Sequence, residues 1–319
     1  MSTYKQIHGT DIEVLSSDPA NPVEGQVWYN STSNVVKGLI NNPGSWSTGG
    51  SLNTARYGLG GTGTQTAALA FGGSTPPFTT VTESYNGTSW TEVNDLNSGR
   101  QNLAAAGTQT AALGFGGSPA VGETESWNGT SWTEVNDLNT GRFSLGGAGI
   151  QTAALAFSGA PPGGGFVTAT ESWDGTSWTE VNDLNTARVA LAGAGIQTAA
   201  LAFGGEDGTP TGLTESWNGT SWTEVNDMNT GRRRLAGTGI QTAALAFGGD
   251  TDPPIVANTE SWNGTSWTEV NDLSTATQLL AGAGADNTSA LAFGGLAPAS
   301  TAATEEWNTG PQTITFTDS

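Results

Sequence analysis

One octapeptide, written six times with small changes, limits this chain to folds assembled from copies of a single unit. It reads TAALAFGG from Thr66, TAALGFGG from Thr110, TAALAFSG from Thr152, TAALAFGG from Thr198 and Thr242, and TSALAFGG from Thr288. A Thr-Glu pair and an aromatic residue follow each copy, the aromatic being Tyr85, Trp127, Trp173, Trp217, Trp262 or Trp307. In the first five copies a second tryptophan stands five residues further on, at Trp90, Trp132, Trp178, Trp222 and Trp267. Trp46 precedes the first copy in the same phase, and the intervals from Trp46 to Trp267 are 44, 42, 46, 44 and 45 residues. A period in this range marks the blades of a β-propeller.

Each unit divides into four short strands. The first follows an arginine, as in ARVALAGAG from Ala187; the second is the Ala/Leu/Phe run; the third is TESWN and the fourth SWTEV. Asn-Gly-Thr-Ser or Asp-Gly-Thr-Ser joins the last two, a hairpin signal because Asn-Gly and Asp-Gly accept positive φ. No segment sustains a 3.6-residue apolar period, so the sequence predicts an all-β chain with negligible helix. Residue sizes suit a radial wedge, with glycine, alanine and leucine near the axis and tryptophan near the rim. Burying one tryptophan removes roughly 200 Å² from water, on the order of 5 kcal/mol as an upper bound. Inter-blade core is therefore the favoured role of these tryptophans, and sugar-stacking platforms the alternative. The expected architecture is a six-bladed β-propeller of four-stranded blades over residues 45–319, preceded by a non-repeating arm and β-hairpin in residues 1–44.

Gly-Gly closing the second strand, then an aromatic, then tryptophan, with an arginine upstream, resembles the kelch repeat over roughly residues 45–310. Ser158-Gly159 departs from the pattern, as do the five copies with tryptophan where kelch repeats usually have tyrosine. The resemblance implies an interaction module. A few kelch relatives are copper oxidases, but the chain has no cysteine and a single histidine, His8, so such ligands are lacking. No cofactor is expected. The last copy, TEEWNTGPQTITFTDS, lacks the second tryptophan, so Ser45–Gly49 is expected to complete the last blade, with TITFT at 313–317 as the alternative. Either arrangement would cover exposed strand edges.

Residues 1–44 do not repeat. QVWYN and VVKGLI predict a hairpin across Ser31-Thr32-Ser33-Asn34. This segment resembles the openings of structural proteins from tailed bacteriophages, particularly marine ones. The resemblance implies a surface-exposed virion protein whose N-terminus docks on other virion proteins, with a symmetric oligomer in the particle as a further option. Tyr4, Ile7, Ile12, Val14, Trp28 and Tyr29 are the candidate docking residues.

Length variation concentrates between the second and third strands, where the loops 74–81, 118–123, 160–169, 206–213, 250–258 and 296–303 hold 8, 6, 10, 8, 9 and 8 residues. In an antiparallel blade these loops open on the same face as the blade-to-blade connections. Variable loops on a rigid ring are where binding usually resides. Candidate binding residues are Pro76, Pro77, Phe78, Pro161, Pro162, Phe166, Glu206, Asp207, Asp250, Asp252 and Ile255.

Repeated charges have a simpler explanation. Arg56, Arg100, Arg142, Arg188 and Arg232 share one phase, which Gln278 is expected to break. Glu83, Glu125, Glu171, Glu215, Glu260 and Glu305 share another. Structural Arg–Glu pairing is favoured, because a catalytic group is rarely needed six times. Asp95, Asp137, Asp183, Asp227 and Asp272 are read as turn caps, with a hard cation such as Ca²⁺ as the alternative. Arg232-Arg233-Arg234 is the one basic cluster, read as a local surface feature rather than a site for an acidic partner.

The net charge is −20, and −18 of it lies after residue 40. A surface this acidic repels nucleic acid and anionic lipid headgroups. No run of about 18 apolar residues predicts membrane insertion. SWDGTSW at 172–178 is one residue short of the Asp-box of sialidases. Carboxylates suited to glycoside hydrolysis are plentiful, but nothing singles out a pair. The expected function is therefore noncatalytic: a phage virion protein displaying its loops to a host-surface glycan or protein. A decoration protein without host ligand and a glycan-degrading enzyme are the alternatives.

Overall fold

A computed structural model describes residues 12–119 and 121–316; Tyr4 and Ile7 of the expected docking arm lie outside them. The described residues form strands, turns and loops, with no helix among them. The chain divides into two compact units, Ser45–Asn308 and a smaller one of Met1–Gly44 with Thr309–Ser319. The division at Asn308 falls where the sixth copy departs from the repeat, with Gln312 in place of a second tryptophan.

The larger unit is an all-β, propeller-like repeat. It contains five separate four-stranded antiparallel sheets, each with its strands in chain order. One of them runs Ala192–Ile196, Ala199–Phe203, Thr214–Trp217, Trp222–Val225, with Ala200 opposite Trp217 and Trp217 opposite Trp222. The first strands of successive sheets stand beside one another, and Ala281–Asp286 stands beside Gly60–Thr64. Glycine is required by that approach: a Cβ on Gly193 would lie 2.5 Å from the Gly147 carbonyl oxygen. The second strands are buried on both faces, which explains their unbroken apolar sequence. The fourth strands bury their tryptophan and expose the Thr-Glu that follows.

A sixth sheet uses chain from both ends of the repeat unit. Ala281–Asp286 pairs with Ser289–Phe293, which pairs with Thr304–Asn308. Residues 45–48 take the fourth place, and the Gly49 N–H donates to the Thr304 carbonyl at 2.8 Å. Trp46 lies 5.0 Å from Phe247 and 5.4 Å from Trp307, matching Trp222 at 5.0 Å from Phe157 and 5.3 Å from Trp217.

Near the first strands, Gly58, Asn102, Ser144, Ala190, Arg234 and Leu279 all have φ between 52° and 63°. The Asn102 N–H donates to Gly58 O, Ser144 to Asn102, Ala190 to Ser144, Arg234 to Ala190, Leu279 to Arg234 and Gly58 to Leu279. These six bonds, 2.7–2.9 Å long, form an unbroken cycle. Left-handed backbone is costly for alanine and leucine, and the cycle is what holds it in place.

In the smaller unit, Val27–Asn30 and the Val35–Gly38 part of the next strand form the expected hairpin, and Glu13–Leu15 pairs in parallel with Val27–Asn30. Residues 13–15 are therefore a strand. Asp18 accepts from Lys37 Nζ at 2.7 Å, Asn30 Nδ2 at 2.8 Å and Trp28 Nε1 at 3.0 Å. The Lys37 bond first, then those of Asn30 and Trp28, holds the Asp18 carboxyl down at about 2. A depressed carboxyl contributes stability above its ordinary value of 3.8 that is lost as pH falls through about 2. Carbon-detected NMR titration is expected to place the Asp18 midpoint near 2, and Lys37→Met to move it back toward 3.8.

Candidate functional site

The repeated polar residues are packed inside the sheets. Arg142 meets Glu171 at 2.9 Å, Arg188 meets Glu215 at 3.1 Å and Arg232 meets Glu260 at 2.6 Å, all with side chains at most 3% exposed. Arg56–Glu83 and Arg100–Glu125 are the equivalent pairs. Burial pushes the pKa of Arg142, Arg188 and Arg232 down, against the pull of the glutamates. Each glutamate also receives the backbone and side-chain N–H of an asparagine, Asn185 in the case of Glu215. The expected structural pairing is present, but the break in the arginine series needs correction. Gly205 N–H donates to Arg232 O, and Gly249 N–H donates to Thr277 O, so Thr277 holds the sixth arginine position. Gln278 is the counterpart of Arg233, not of Arg232; both bridge to the residue after Gly-Gly.

The aspartates act one strand away from their turns. Asp95, Asp137, Asp183, Asp227 and Asp272 accept the backbone N–H of Thr82, Thr124, Thr170, Thr214 and Thr259, which open the third strands. Among the described residues, no three His, Cys, Asp or Glu side chains are grouped to hold a metal ion. The fourth-strand tryptophans tie sheet to sheet: Trp222 Nε1 donates to Thr170 Oγ1 at 3.1 Å, and Trp46 to Thr259 Oγ1 at 3.0 Å. They are buried or half-buried and offer no platform for a sugar. A tie that sequence reasoning missed is the amide side chain before each octapeptide, glutamine in five copies and Asn287 in the sixth. Gln197 Nε2 donates to Trp173 O and Ser172 Oγ of the preceding sheet, and Gln65 donates to Trp307 O. Its signal was present as the invariant QTAAL of five copies.

Gly-Gly ends the second strand because both residues have positive φ, +64° at Gly72 and +99° at Gly73, and a Cβ on either would meet a carbonyl oxygen within 2.9 Å. Ser158 occupies the first position at φ 61°. Its hydroxyl donates to the Arg188 carbonyl and accepts the Arg188 N–H, a compensation glycine does not need. In the turn between the third and fourth strands only glycine has positive φ; Asn218 Oδ1 instead accepts the N–H groups of Thr220 and Ser221.

The variable loops are pinned at their bases. Ser74 bridges to Tyr57 and Phe78, Glu206 to Val189 and Pro210, and Asp250 to Arg233 and Ile255. Among the loop candidates, Pro76, Pro77, Pro162 and Asp207 are exposed, while Pro161 and Ile255 are half-buried. Phe78 and Phe166 are 40% and 38% exposed, unusual for phenylalanine. Three of the candidate acids are gathered by one guanidinium. Arg233 lies 2.6 Å from Glu206, 3.0 Å from Asp250 and 2.8 Å from Asp252, and Arg234 lies 3.4 Å from Asp250. Partial burial opposes the charge on Arg233, but the bonds to Glu206 and Asp250 outweigh it and raise its pKa. The basic triplet thus divides into a buried pair, a loop clamp and a member of the backbone cycle.

Of the candidate docking residues, Trp28 is fully buried and bonded to Asp18, so its side chain has no surface to offer. Tyr29 is half-buried, with its hydroxyl donating to Asn34 Oδ1. Ile12 and Val14 are exposed apolar residues, at 43% and 66%. No protein-family model matches this chain, and no curated protein matches it.

Proposed function

We propose that the chain is a six-bladed, kelch-like propeller acting as a noncatalytic recognition module, carried on a tailed-phage virion by its N-terminal segment and presenting its loop face to a host-surface glycan or protein. The observation that carries this reading is how the side chains divide. The repeated Arg, Glu, Asp, Thr, Trp and Gln bond within or between sheets, whereas the non-repeated loops hold exposed Phe78 and Phe166. A rigid frame with unlike loops suits recognition of a partner more than chemistry. The six-membered backbone cycle and the sixth sheet completed by residues 45–48 support six blades. The diglycine turns support the kelch likeness, and the resemblance of residues 1–44 to phage structural proteins supports the virion setting.

Replacing residues 75–79 and 161–167 with Gly/Ser sequences of the same length, leaving Tyr57, Ser74, Phe143 and Ala160 in place, is expected to abolish binding to host cells while the melting temperature stays within about 2 °C. Retained binding by the grafted protein would overturn the loop-face reading. Release of products from host glycans would replace it with an enzymatic one.

A further inference from the structure

The sixth sheet keeps the glutamate but not the arginine that the other five bury. Thr277 stands at the arginine position, and Glu305, only 8% exposed, stands at the glutamate position. In the other sheets the guanidinium sits among acceptors. Arg188 donates to Glu215 at 3.1 Å, Gly204 O at 2.9 Å and Leu213 O at 2.6 Å, and Arg232 donates to Ala246 O at 3.3 Å. The counterparts of these acceptors are Glu305, Gly294, Ala303 and Ala292. All four, with Thr277, line a cavity of about 90 Å³. A cavity needs only about 10–15 Å³ to admit one water, so this one admits a group of several heavy atoms.

The carboxylate is short of donors. Glu215 receives the N–H and Nδ2 of Asn185, the Thr186 N–H and the Arg188 guanidinium. Ser274 replaces the asparagine in the sixth sheet, and among the described residues the Ser274 N–H, at 2.9 Å, is the one donor to Glu305. With one protein donor, the Glu305 carboxylate has lone pairs left for a ligand in the cavity it lines, and a planar cation carrying several N–H groups suits a wall of carbonyls and a carboxylate better than a point charge does. Thr275 and Ala303 at the margin of the cavity are exposed. We propose that this cavity binds a guanidinium group supplied from outside the chain, in the place the missing arginine would take.

The test uses the full chain with methylguanidinium, methylammonium and sodium chlorides at equal ionic strength, followed by melting temperature and calorimetry. Methylguanidinium is expected to raise the melting temperature saturably with a dissociation constant on the order of 1 mM, and methylammonium to bind at least about tenfold more weakly. Thr277→Arg supplies the group internally and is expected to raise the melting temperature and remove the response to ligand. Glu305→Gln is expected to weaken binding at least about tenfold. A Gly-Arg-Gly peptide separates the sources: binding at least as tight as methylguanidinium identifies a partner's arginine, and weaker binding identifies a small guanidinium compound. Absence of a saturable shift in the unaltered chain, or an equal shift in Thr277→Arg, overturns the proposal. If Thr277→Arg does not fold, unchanged affinity in Glu305→Gln overturns it and the tenfold loss supports it. The outcome does not depend on whether the loop face binds a host.

Discussion

Arg188→Ala is expected to destabilise the chain by about 3–5 kcal/mol and to lower its melting temperature by roughly 5–10 °C. Arg188 has no exposed surface and Glu215 is 2% exposed, so removing the arginine leaves a buried carboxylate without its counter-charge. Most of the cost lies in that stranded charge rather than in lost attraction. Glu215→Gln is expected to cost less. It keeps an oxygen for the two Asn185 donors and leaves Arg188 its acceptors at Gly204 and Leu213. Urea denaturation of both variants checks the order. A cost below about 1 kcal/mol for Arg188→Ala would mean that water reaches the site and the pair is dispensable.

Trp222→Ala is expected to cost about 3–5 kcal/mol, for a different reason. The indole is 5% exposed, lies 5.0 Å from Phe157 in the preceding sheet and 5.3 Å from Trp217 in its own, and donates to Thr170 Oγ1. Removing it opens a cavity at the seam between two sheets. Trp222→Phe keeps a ring against Phe157 and loses the Thr170 bond, so its cost is expected to be about 1–3 kcal/mol. A double-mutant cycle with Thr170→Val isolates the hydrogen-bond share by urea titration. Equal costs for the alanine and phenylalanine variants would show that packing is not what holds the seam.

The strands were legible in the sequence because their constraints are local. A second strand buried on both faces must be apolar throughout, and the diglycine turn admits few residues. Trp46 could be placed because its phase matched the other fourth strands. What could not be read depends on neighbours distant in the chain. Ala190 and Leu279 show no preference for left-handed backbone; the cycle of amide-to-carbonyl bonds imposes it. Thr277 was missed because its neighbour Gln278 resembles arginine more closely in length and polarity. The loop acids read as open binding groups, yet Arg233 reaches Glu206 across 27 residues and Asp250 across 17. Such pairing leaves no mark on a local pattern. Trp28 read as a docking residue for the same reason, since Asp18, which takes its N–H, stands ten residues away.

The sixth sheet also has a consequence in time. Ser47 Oγ donates to the Glu306 carbonyl, and 259 positions separate the two residues. At about 5–20 residues per second, a ribosome takes roughly 10–50 s to cover that distance. Throughout that interval Trp46 has been made and Trp307 has not. Five sheets can assemble as they emerge, because their four strands are consecutive in the chain. The sixth waits for translation, with its tryptophan exposed to whatever else in the cell binds an unpartnered aromatic ring.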